Sequence, residues 1–348
     1  MTRIPGERSY HPGNFHLGFW GDTNHYQTLF DRKLPGAIVS SVYDVLMTAQ
    51  ELSLEVGVPM PYLEDELEIL EAAGILTERG GRYAAEIVIL RRAWAEAVRD
   101  AAASLCRESM QRILPELNAL LPELRRLPLG GEFDADCLKI AMLNIAAVLG
   151  YESSGALVPS GAQKRLPLGG YGFLYGIDFD ETDSRHGSMC MQVYNRRKNA
   201  WFSAENYRVL EGVQQYSHEG FAEKAEAMCA AILGETADRE NESIPQLIES
   251  GCIRCTDGRL EACFPVFDTE GFAAVRRLLA PVSEEAARCM EKVTGAATAL
   301  LEKEAPSRLR ESFQAAAAIH CRLETAAMLM EALLRDGGIV LPREKCPL

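Results

Sequence analysis

The chain has 348 residues, of which 47% are hydrophobic and 25% are charged, a balance that is typical of a globular protein and excludes a fully disordered one. Thirty-six Lys and Arg stand against fifty Asp and Glu, so the formal net charge is -14. No general positive field therefore draws the protein toward phosphate backbones. The sequence contains neither an apolar run of about 20 residues nor the apolar core of a leader peptide, which predicts a cytoplasmic protein without a membrane span.

Ten cysteines are spread through the chain. Most stand singly in apolar, helical surroundings, where reduced thiols pack as small hydrophobes; examples are Cys106, Cys137, Cys229, Cys289 and Cys321. One cluster, formed by Cys252, Cys255 and Cys263, suggests part of a zinc site, but no fourth Cys or His follows at ligand spacing. The pattern around it favours a hairpin, and we expect no metal and no cofactor.

Three short helices are predicted one after another before the first hairpin. An apolar face over residues 36–46 indicates the first helix. Thr48 and Glu51 have the spacing of a capping box, in which each side chain satisfies a free amide at a helix start. Gly57 ends this second helix, and Pro61 suits the first turn of a third.

A two-stranded hairpin follows the three helices. Residues 75–78 predict one strand, Arg79-Gly80-Gly81-Arg82 a tight turn, and residues 83–90 the returning strand. Helix, capped helix, turn, helix and hairpin is the order of a winged helix-turn-helix. This part of the chain, about a fifth of it, resembles the winged-helix modules of bacterial transcription regulators. The stretch from Asn14 to Leu76 is also similar to modules attached to some bacterial sigma factors.

The resemblance implies DNA binding through the third helix, but that helix has the wrong charge. Between Thr48 and Glu78 there are eight acidic residues and no Lys or Arg, whereas base and phosphate contacts depend on Arg, Lys, Asn and Gln. The outward face of the helix presents Glu64, Asp65, Glu68 and Glu71. Such a run is typical of a solvated helix face, and the alternative is a docking surface for a basic protein, since winged helices also serve as protein-docking modules.

Nearby arginines leave another route to DNA, because a wing and an arm can contact phosphates or the minor groove when the helix does not. The predicted DNA contacts are Arg79 and Arg82 beside the wing turn, Arg91 and Arg92 after the second strand, and the outward aromatic Tyr62. Further cations precede the winged helix at Arg3, Arg8, Arg32 and Lys33. DNA binding is thus disfavoured by the acidic helix and left open by the wing.

An internal repeat organises the rest of the chain. A shift of 177 residues places Leu70, Gly74, Gly81, Arg82 and Ala85 on Leu247, Gly251, Gly258, Arg259 and Ala262. In both copies a hairpin is followed by a long helical pattern, broken at Pro281 in the second copy, and then by another helix. The sequence therefore predicts two homologous halves that pack as an internal pseudo-dimer, the second opening with a degenerate winged helix.

Residues 164–210 differ in composition from the helical parts of the chain, because glycines alternate with aromatic and aliphatic residues there. They predict strands whose side chains pack as sheet core, with a pocket for a small-molecule effector as the alternative. A basic run, Arg196-Arg197-Lys198, lies in a predicted turn. The glycines lack the order of a nucleotide-binding fingerprint.

We expect no enzymatic activity, because none of the six histidines lies in a metal or nucleophile motif and no phosphate-binding loop is present. His320 stands beside Cys321 in a helical pattern rich in Ala and Leu, which favours a packed side chain over a catalytic pair. An acidic turn near Asp178 lacks the ligand order of a calcium-binding loop.

The sequence as a whole predicts a mainly helical α+β protein with small antiparallel hairpins, in which winged-helix domains are joined by a helical core. The predicted segments are an N-terminal arm (1–33), a winged helix (34–90), a first helical half (91–160), a glycine- and aromatic-rich β segment (161–217), a degenerate winged helix (218–268) and a second helical half (269–348). The leading hypothesis is a bacterial transcription-regulator-like protein that contacts DNA through wing and arm. The alternatives are a protein-interaction module with an acidic docking helix, and a small-molecule sensor without DNA binding; the oligomeric state is left open.

Overall fold

The computed structural model describes residues 15–22, 26, 28–129, 131–153, 164–178, 188–194, 200–206, 244–245, 248, 253–256, 259–262, 265–301, 306–337 and 339. In this part of the chain the helices are α1 (Lys33–Ser41), α2 (Ala49–Val56), α3 (Met60–Ala72), α4 (Arg92–Leu124), α5 (Ala135–Ser153), α6 (Thr269–Leu278), α7 (Ala280–Leu301) and α8 (Arg310–Asp336). The strands are β1 (Phe15–Asp22), β2 (Leu76–Glu78), β3 (Tyr83–Ala85), β4 (Val88–Arg91), β5 (Lys164–Arg165), β6 (Tyr171–Asp178), β7 (Ser188–Tyr194), β8 (Ala200–Asn206), β9 (Ile253–Thr256) and β10 (Arg259–Ala262). The predicted class, mainly helical with small antiparallel sheets, is confirmed, with the parallel pairing of β4 and β6 as an exception.

The chain divides into two compact units, each assembled from three separated stretches. The first unit comprises residues 1–100, 156–183 and 294–321, and the second comprises 101–155, 184–293 and 322–348. Each segment predicted from the sequence is one continuous stretch, whereas the stretches that form these two units alternate along the chain.

The helices of the first unit begin and end where local chemistry directs. The Glu51 amide donates to Thr48 Oγ1 at 3.2 Å, and the Thr48 amide donates to Glu51 Oε2 at 2.8 Å, so the predicted capping box is confirmed. Gly57 closes α2 in the left-handed conformation, at φ 70°, which only glycine adopts without strain. On α3 the buried apolar side chains are Leu63, Leu67 and Leu70, spaced by helical turns.

The predicted hairpin forms between β2 and β3. Arg79 and Arg82 exchange backbone hydrogen bonds across the turn, with Gly80 and Gly81 at φ 63° and 78°, as a two-residue turn of the primed type requires. Met47 bridges to Tyr83 on the other side of β3. The tight turn is thus confirmed, and the hairpin gains a third, one-residue strand.

The returning strand predicted over residues 83–90 is instead two strands. β3 ends at Ala85, and β4 leaves the hairpin to pair in parallel with β6, with Val88 opposite Tyr175. Val88, Ile89 and Leu90 are all buried. A continuous buried apolar run is typical of a strand that is covered on both faces. Because one face of the hairpin is exposed, this run pairs with β6 and does not continue β3.

β1 lies inside the segment predicted as an N-terminal arm, and it pairs along its whole length with β6. Glycines and aromatic residues face one another across this pair. A Cβ on Gly18 would overlap the Tyr175 ring, and a Cβ on Gly176 would overlap the Phe15 ring. Gly18 and Gly176 thus leave room for rings on the neighbouring strand, which accounts for one of the glycines that interrupt the aromatic residues of 164–210.

In the second unit, α4 and α7 pack against each other in opposite directions. The Cys289 thiol lies 3.8 Å from the Cys106 sulfur, and one turn further along α4 the Ser109 hydroxyl donates to Glu285 at 2.8 Å. α5 also lies close to α7, because a Cβ on Gly150 would lie 2.8 Å from the Ser283 carbonyl oxygen.

Four described cysteines, Cys106, Cys255, Cys289 and Cys321, form no disulfide. Cys137, predicted among the reduced cysteines, is disulfide-bonded. The expectation was wrong here because it rested on the compartment and not on which cysteines the fold brings together.

The second hairpin, β9–β10, forms at the place that the repeat predicts. The predicted break near Pro281 also occurs, since α6 ends at Leu278 and α7 begins at Ala280, with Pro281 in its first turn, where proline is tolerated. Most of the predicted degenerate winged helix before this hairpin lies outside the described residues.

Candidate functional site

The outward face of α3 is a continuous acidic surface, which we call the acidic face. It consists of Glu64, Asp65, Glu68 and Glu71, all of them exposed. Among the described residues none of the four has an ion-pair partner; Glu71 Oε1 accepts a hydrogen bond from the uncharged Glu78 amide at 3.3 Å. Tyr62, at the start of the same helix, is 70% exposed.

The side chain of Tyr83, on the hairpin beside α3, is subject to this charge. Partial burial raises the pKa of Tyr83, and the carboxylates of Glu71, Glu78, Glu64 and Glu68 raise it further. A phenolate is disfavoured next to other negative charges. The charge of the acidic face therefore acts on the Tyr83 side chain of the hairpin.

One carboxylate of α3 points the other way. The Glu66 side chain is 4% exposed and binds Arg32 through two hydrogen bonds, of 2.8 and 2.9 Å. This bidentate pair is of the strong, charge-assisted kind. Arg32, counted in the sequence among cations available to DNA, is therefore bound within the protein.

The two arginines of the β2–β3 turn are also paired. Arg79 Nη2 lies 3.0 Å from Glu86 Oε1, and Arg82 Nη1 lies 3.3 Å from Glu51 Oε2 and donates to the Leu46 carbonyl at 3.0 Å. Both guanidinium groups stay largely accessible, with side chains 62% and 48% exposed.

Two further predicted DNA contacts, Arg91 and Arg92, follow the hairpin. Arg91 at the end of β4 pairs with Asp44 and lies over the Tyr43 ring, with 5.0 Å from Cζ to the ring centroid. Arg92 is the first residue of α4 and is exposed. Arg3 and Arg8 lie outside the described residues.

The fold thus separates the charges predicted from the sequence into two groups. The carboxylates of the acidic face are exposed and have no ion-pair partner among described residues, whereas Arg79, Arg82 and Arg91 each bind a carboxylate of the same unit. The arrangement favours attraction of cations to α3, and the ion pairs of the hairpin reduce the positive charge that its arginines present to solvent.

Two residues of this region escaped the sequence reasoning. Glu66 stands at the spacing of the buried leucines Leu63 and Leu70, and that spacing was the signal that could have placed it inside. Arg308, just before α8, donates to the carbonyls of Tyr43 and Ala85 at 2.9 and 3.2 Å, and nothing local in the sequence indicates these distant partners.

The other side chains considered as candidates for catalysis or metal binding do not form a site among the described residues. His320 is buried, with its ring centroid 5.6 Å from that of Trp94, and Cys321 is a fully buried thiol. Arg196-Arg197-Lys198 lies outside the described residues. Within the described part of the chain no group of three potential metal ligands occurs, and none of its helices is both long and apolar enough to cross a bilayer.

Comparisons of the chain with protein-family models, with curated proteins and with solved structures found no match.

Proposed function

We propose that residues 34–90 form a winged-helix module that binds a basic partner protein on the acidic face. The observation that carries the proposal is the separation of charges. Glu64, Asp65 and Glu68 have no ion-pair partner among the described residues, while the hairpin arginines bind carboxylates of their own unit. A winged helix with this distribution attracts a cationic protein surface and repels DNA at the helix that DNA-reading relatives would insert.

The chemistry of the partner follows from the surface. The acidic face carries four exposed carboxylates, with an exposed tyrosine, Tyr62, at one end. A lysine- or arginine-rich segment matches it, with the Tyr62 ring available for a cation–π contact. Because these charges are solvent-exposed, each pair contributes about 0.2–1 kcal/mol and binding weakens as salt rises.

The test titrates the full chain into a fluorescein-labelled peptide of ten lysines at low ionic strength. Replacing Glu64, Asp65 and Glu68 together (E64Q/D65N/E68Q) should weaken binding on the order of tenfold, as three surface pairs imply. The matched control neutralises three exposed glutamates of α4 (E96Q/E108Q/E116Q) and should change affinity by less than about twofold. Equal losses in both variants would show binding to net charge alone, and absence of binding by the wild type would overturn the proposal.

DNA contact through the wing is the second candidate, and the exposure of its arginines favours it. Ion pairs as exposed as those of Arg79 and Arg82 contribute little, so each guanidinium can exchange its carboxylate for a phosphate. In the same assay with a random 20-base-pair duplex, wing binding predicts an affinity that falls with salt and is reduced in R79A/R82A. No binding to the duplex at low salt would exclude this candidate and leave the protein-docking proposal intact.

We also infer that the chain is an internal repeat of two halves, and the bounds of its elements support this. Displaced by 177 residues, the first and last residues of α4 fall on Thr269 and Leu301, the first of α6 and the last of α7. The start of β2 and the end of β3 fall on Ile253 and Ala262, the start of β9 and the end of β10. These coincidences extend over two strands and a long helical stretch, which a chance likeness of one hairpin does not explain.

The contact between α4 and α7 is the one that an internal pseudo-dimer requires, because α4 follows the first hairpin and α7 belongs to the second half. In a crystal structure of the full chain, superposing β2–β3 on β9–β10 should bring α4 onto α6 and α7. A superposition that separates them would end the repeat hypothesis.

A further inference from the structure

A cavity of about 560 Å³ lies within the first unit, behind the acidic helix. The end of α3, the junction between β3 and β4, the β5–β6 turn and the first turn of α8 enclose it. Its volume is in the range of small-molecule sites, about 300–1,000 Å³. We propose that this cavity binds a small amphipathic anion, with an apolar body and one carboxylate. The proposal is independent of docking on the acidic face.

The walls of the cavity suit an apolar body. Leu166, Ile87, Phe173 and Leu174 line it, and each is less than 10% exposed. Phe173 and Leu174 come from β6, the strand whose glycines and aromatic residues suggested either sheet core or a pocket. The aromatic stacking of Phe173 on Tyr175, with centroids 6.0 Å apart, holds that wall in place.

The mouth of the cavity carries the charge that selects an anion. Lys164 and Arg165 form β5 and are exposed, and the described residues include no ion-pair partner for either. On the same lining, Glu86 is already bound to Arg79, so Glu311 is the remaining carboxylate against two cations. Lysine and arginine are the side chains that bind carboxylates through charge-assisted hydrogen bonds.

The cavity is built before any ligand arrives. The buried Tyr26 hydroxyl donates to the Ala73 carbonyl and accepts from the Leu168 amide, both at 3.1 Å, so it ties the end of α3 to the β5–β6 turn. Gly74, at φ 70°, lies against Pro167, which a Cβ at that position would approach to 3.0 Å. A preformed wall of this kind spares a ligand the entropy of ordering it.

The cavity also adjoins the acidic helix, since Ala73 and Gly74 line it and directly follow α3. A ligand held there touches the residues that end the helix. This position distinguishes the cavity from the acidic face, whose carboxylates lie on the outward side of the same helix.

The test uses 8-anilinonaphthalene-1-sulfonate, an apolar fluorescent anion, with the full chain. The wild type should bind it saturably, decanoate should displace it, and decylamine at the same concentration should not. Ser312 is half-buried in the cavity lining, so Ser312→Trp places an indole in the space of the ligand and should raise the dye's Kd by about tenfold. K164E/R165E reverses the charge of the two cations and should raise the Kd by a similar factor.

Lys33→Glu is the matched control, because Lys33 is an exposed cation of the same unit that does not line the cavity; it should leave the Kd within about twofold. Thermal unfolding and near-UV circular dichroism confirm that each variant is folded, since this dye also binds partly unfolded protein. An unchanged Kd in Ser312→Trp, or displacement by decylamine as effective as by decanoate, would overturn the proposal. Titration of the ten-lysine peptide is measured separately, so failure of either proposal is visible without the other.

Discussion

Two ion pairs of the first unit differ mainly in the burial of their carboxylates. The Glu66 side chain, bound by Arg32, is 4% exposed, whereas that of Glu86, bound by Arg79, is 31% exposed. Arg32→Ala leaves a buried carboxylate without its partner, and we expect a loss of about 1–3 kcal/mol, reduced from the fully buried case because Arg32 itself is half-exposed. Arg79→Ala should cost less than about 1 kcal/mol.

Urea unfolding of the two variants measures both losses, and the slope of each transition checks that the unfolded states are comparable. If Arg79→Ala were as destabilising as Arg32→Ala, burial of the carboxylate would not be what distinguishes the pairs. The double variant R32A/E66Q adds a second check, since removing both charges should recover part of the stability that R32A loses.

The spacing of residues in the sequence predicted which side chains are exposed where a single helix determines their direction. The exposed positions Glu64, Asp65 and Glu68 follow from the spacing of the buried leucines on α3. The ion pair of Arg82 was not predictable in the same way, because Arg82 and its partner Glu51 lie on different elements. Whether a charge is available to a ligand depends on such distant partners, and local pattern does not contain them.

At the scale of the element, the capping box of α2 gives a prediction with a pH dependence. Thr48→Ala removes the oxygen that accepts from the Glu51 amide, and we expect a loss of about 0.5–2 kcal/mol, as for other N-cap threonines. The hydrogen bond from the Thr48 amide, followed by the Thr48 hydroxyl and the Arg82 charge, lowers the pKa of Glu51. A carboxyl whose pKa is lower in the folded state stabilises it above the unfolded pKa, near about 4.3, and that contribution disappears as the pH falls through the folded pKa.

Glu51→Gln should therefore be less stable than the wild type at pH 7, with the difference shrinking on acidification below about pH 4. Thermal unfolding of Glu51→Gln and wild type from pH 7 to pH 3 measures it. The matched control is Glu96→Gln, an exposed glutamate in α4. A difference that persists unchanged at pH 3 would contradict the electrostatic account of the cap.

The elements themselves divide into those that local signals define and those that need a distant partner. The caps of α2, the Gly80-Gly81 turn and the long helices follow from short-range chemistry, and the sequence predicts them. The pairing of β1 and β4 with β6 does not, because β6 lies far along the chain from both. A run such as Val88–Leu90 shows that a strand is buried, but it does not show against what.

At the scale of the whole molecule, the winged helix predicted from the sequence is not self-sufficient. Among the described residues, the backbone pairing of β4 is with β6. Arg308, which lies outside residues 34–90, donates hydrogen bonds to the carbonyls of Tyr43 and Ala85. Both contacts are lost in a fragment of residues 34–90. We therefore expect that fragment not to fold on its own.

Magnitudes support this expectation. Val88, Ile89 and Leu90 are at most 3% exposed, and uncovering such side chains costs about 1.5–3 kcal/mol each, whereas a domain of this length has only about 3–9 kcal/mol of stability in all. Circular dichroism should show the 34–90 fragment without a cooperative thermal transition, and a fragment of residues 1–183, which restores β6 to β1 and β4, should regain part of one. A cooperative transition in the shorter fragment would contradict this expectation. It would mean that residues 34–90, which carry the acidic face, fold as an autonomous domain without the contacts to β6 and Arg308.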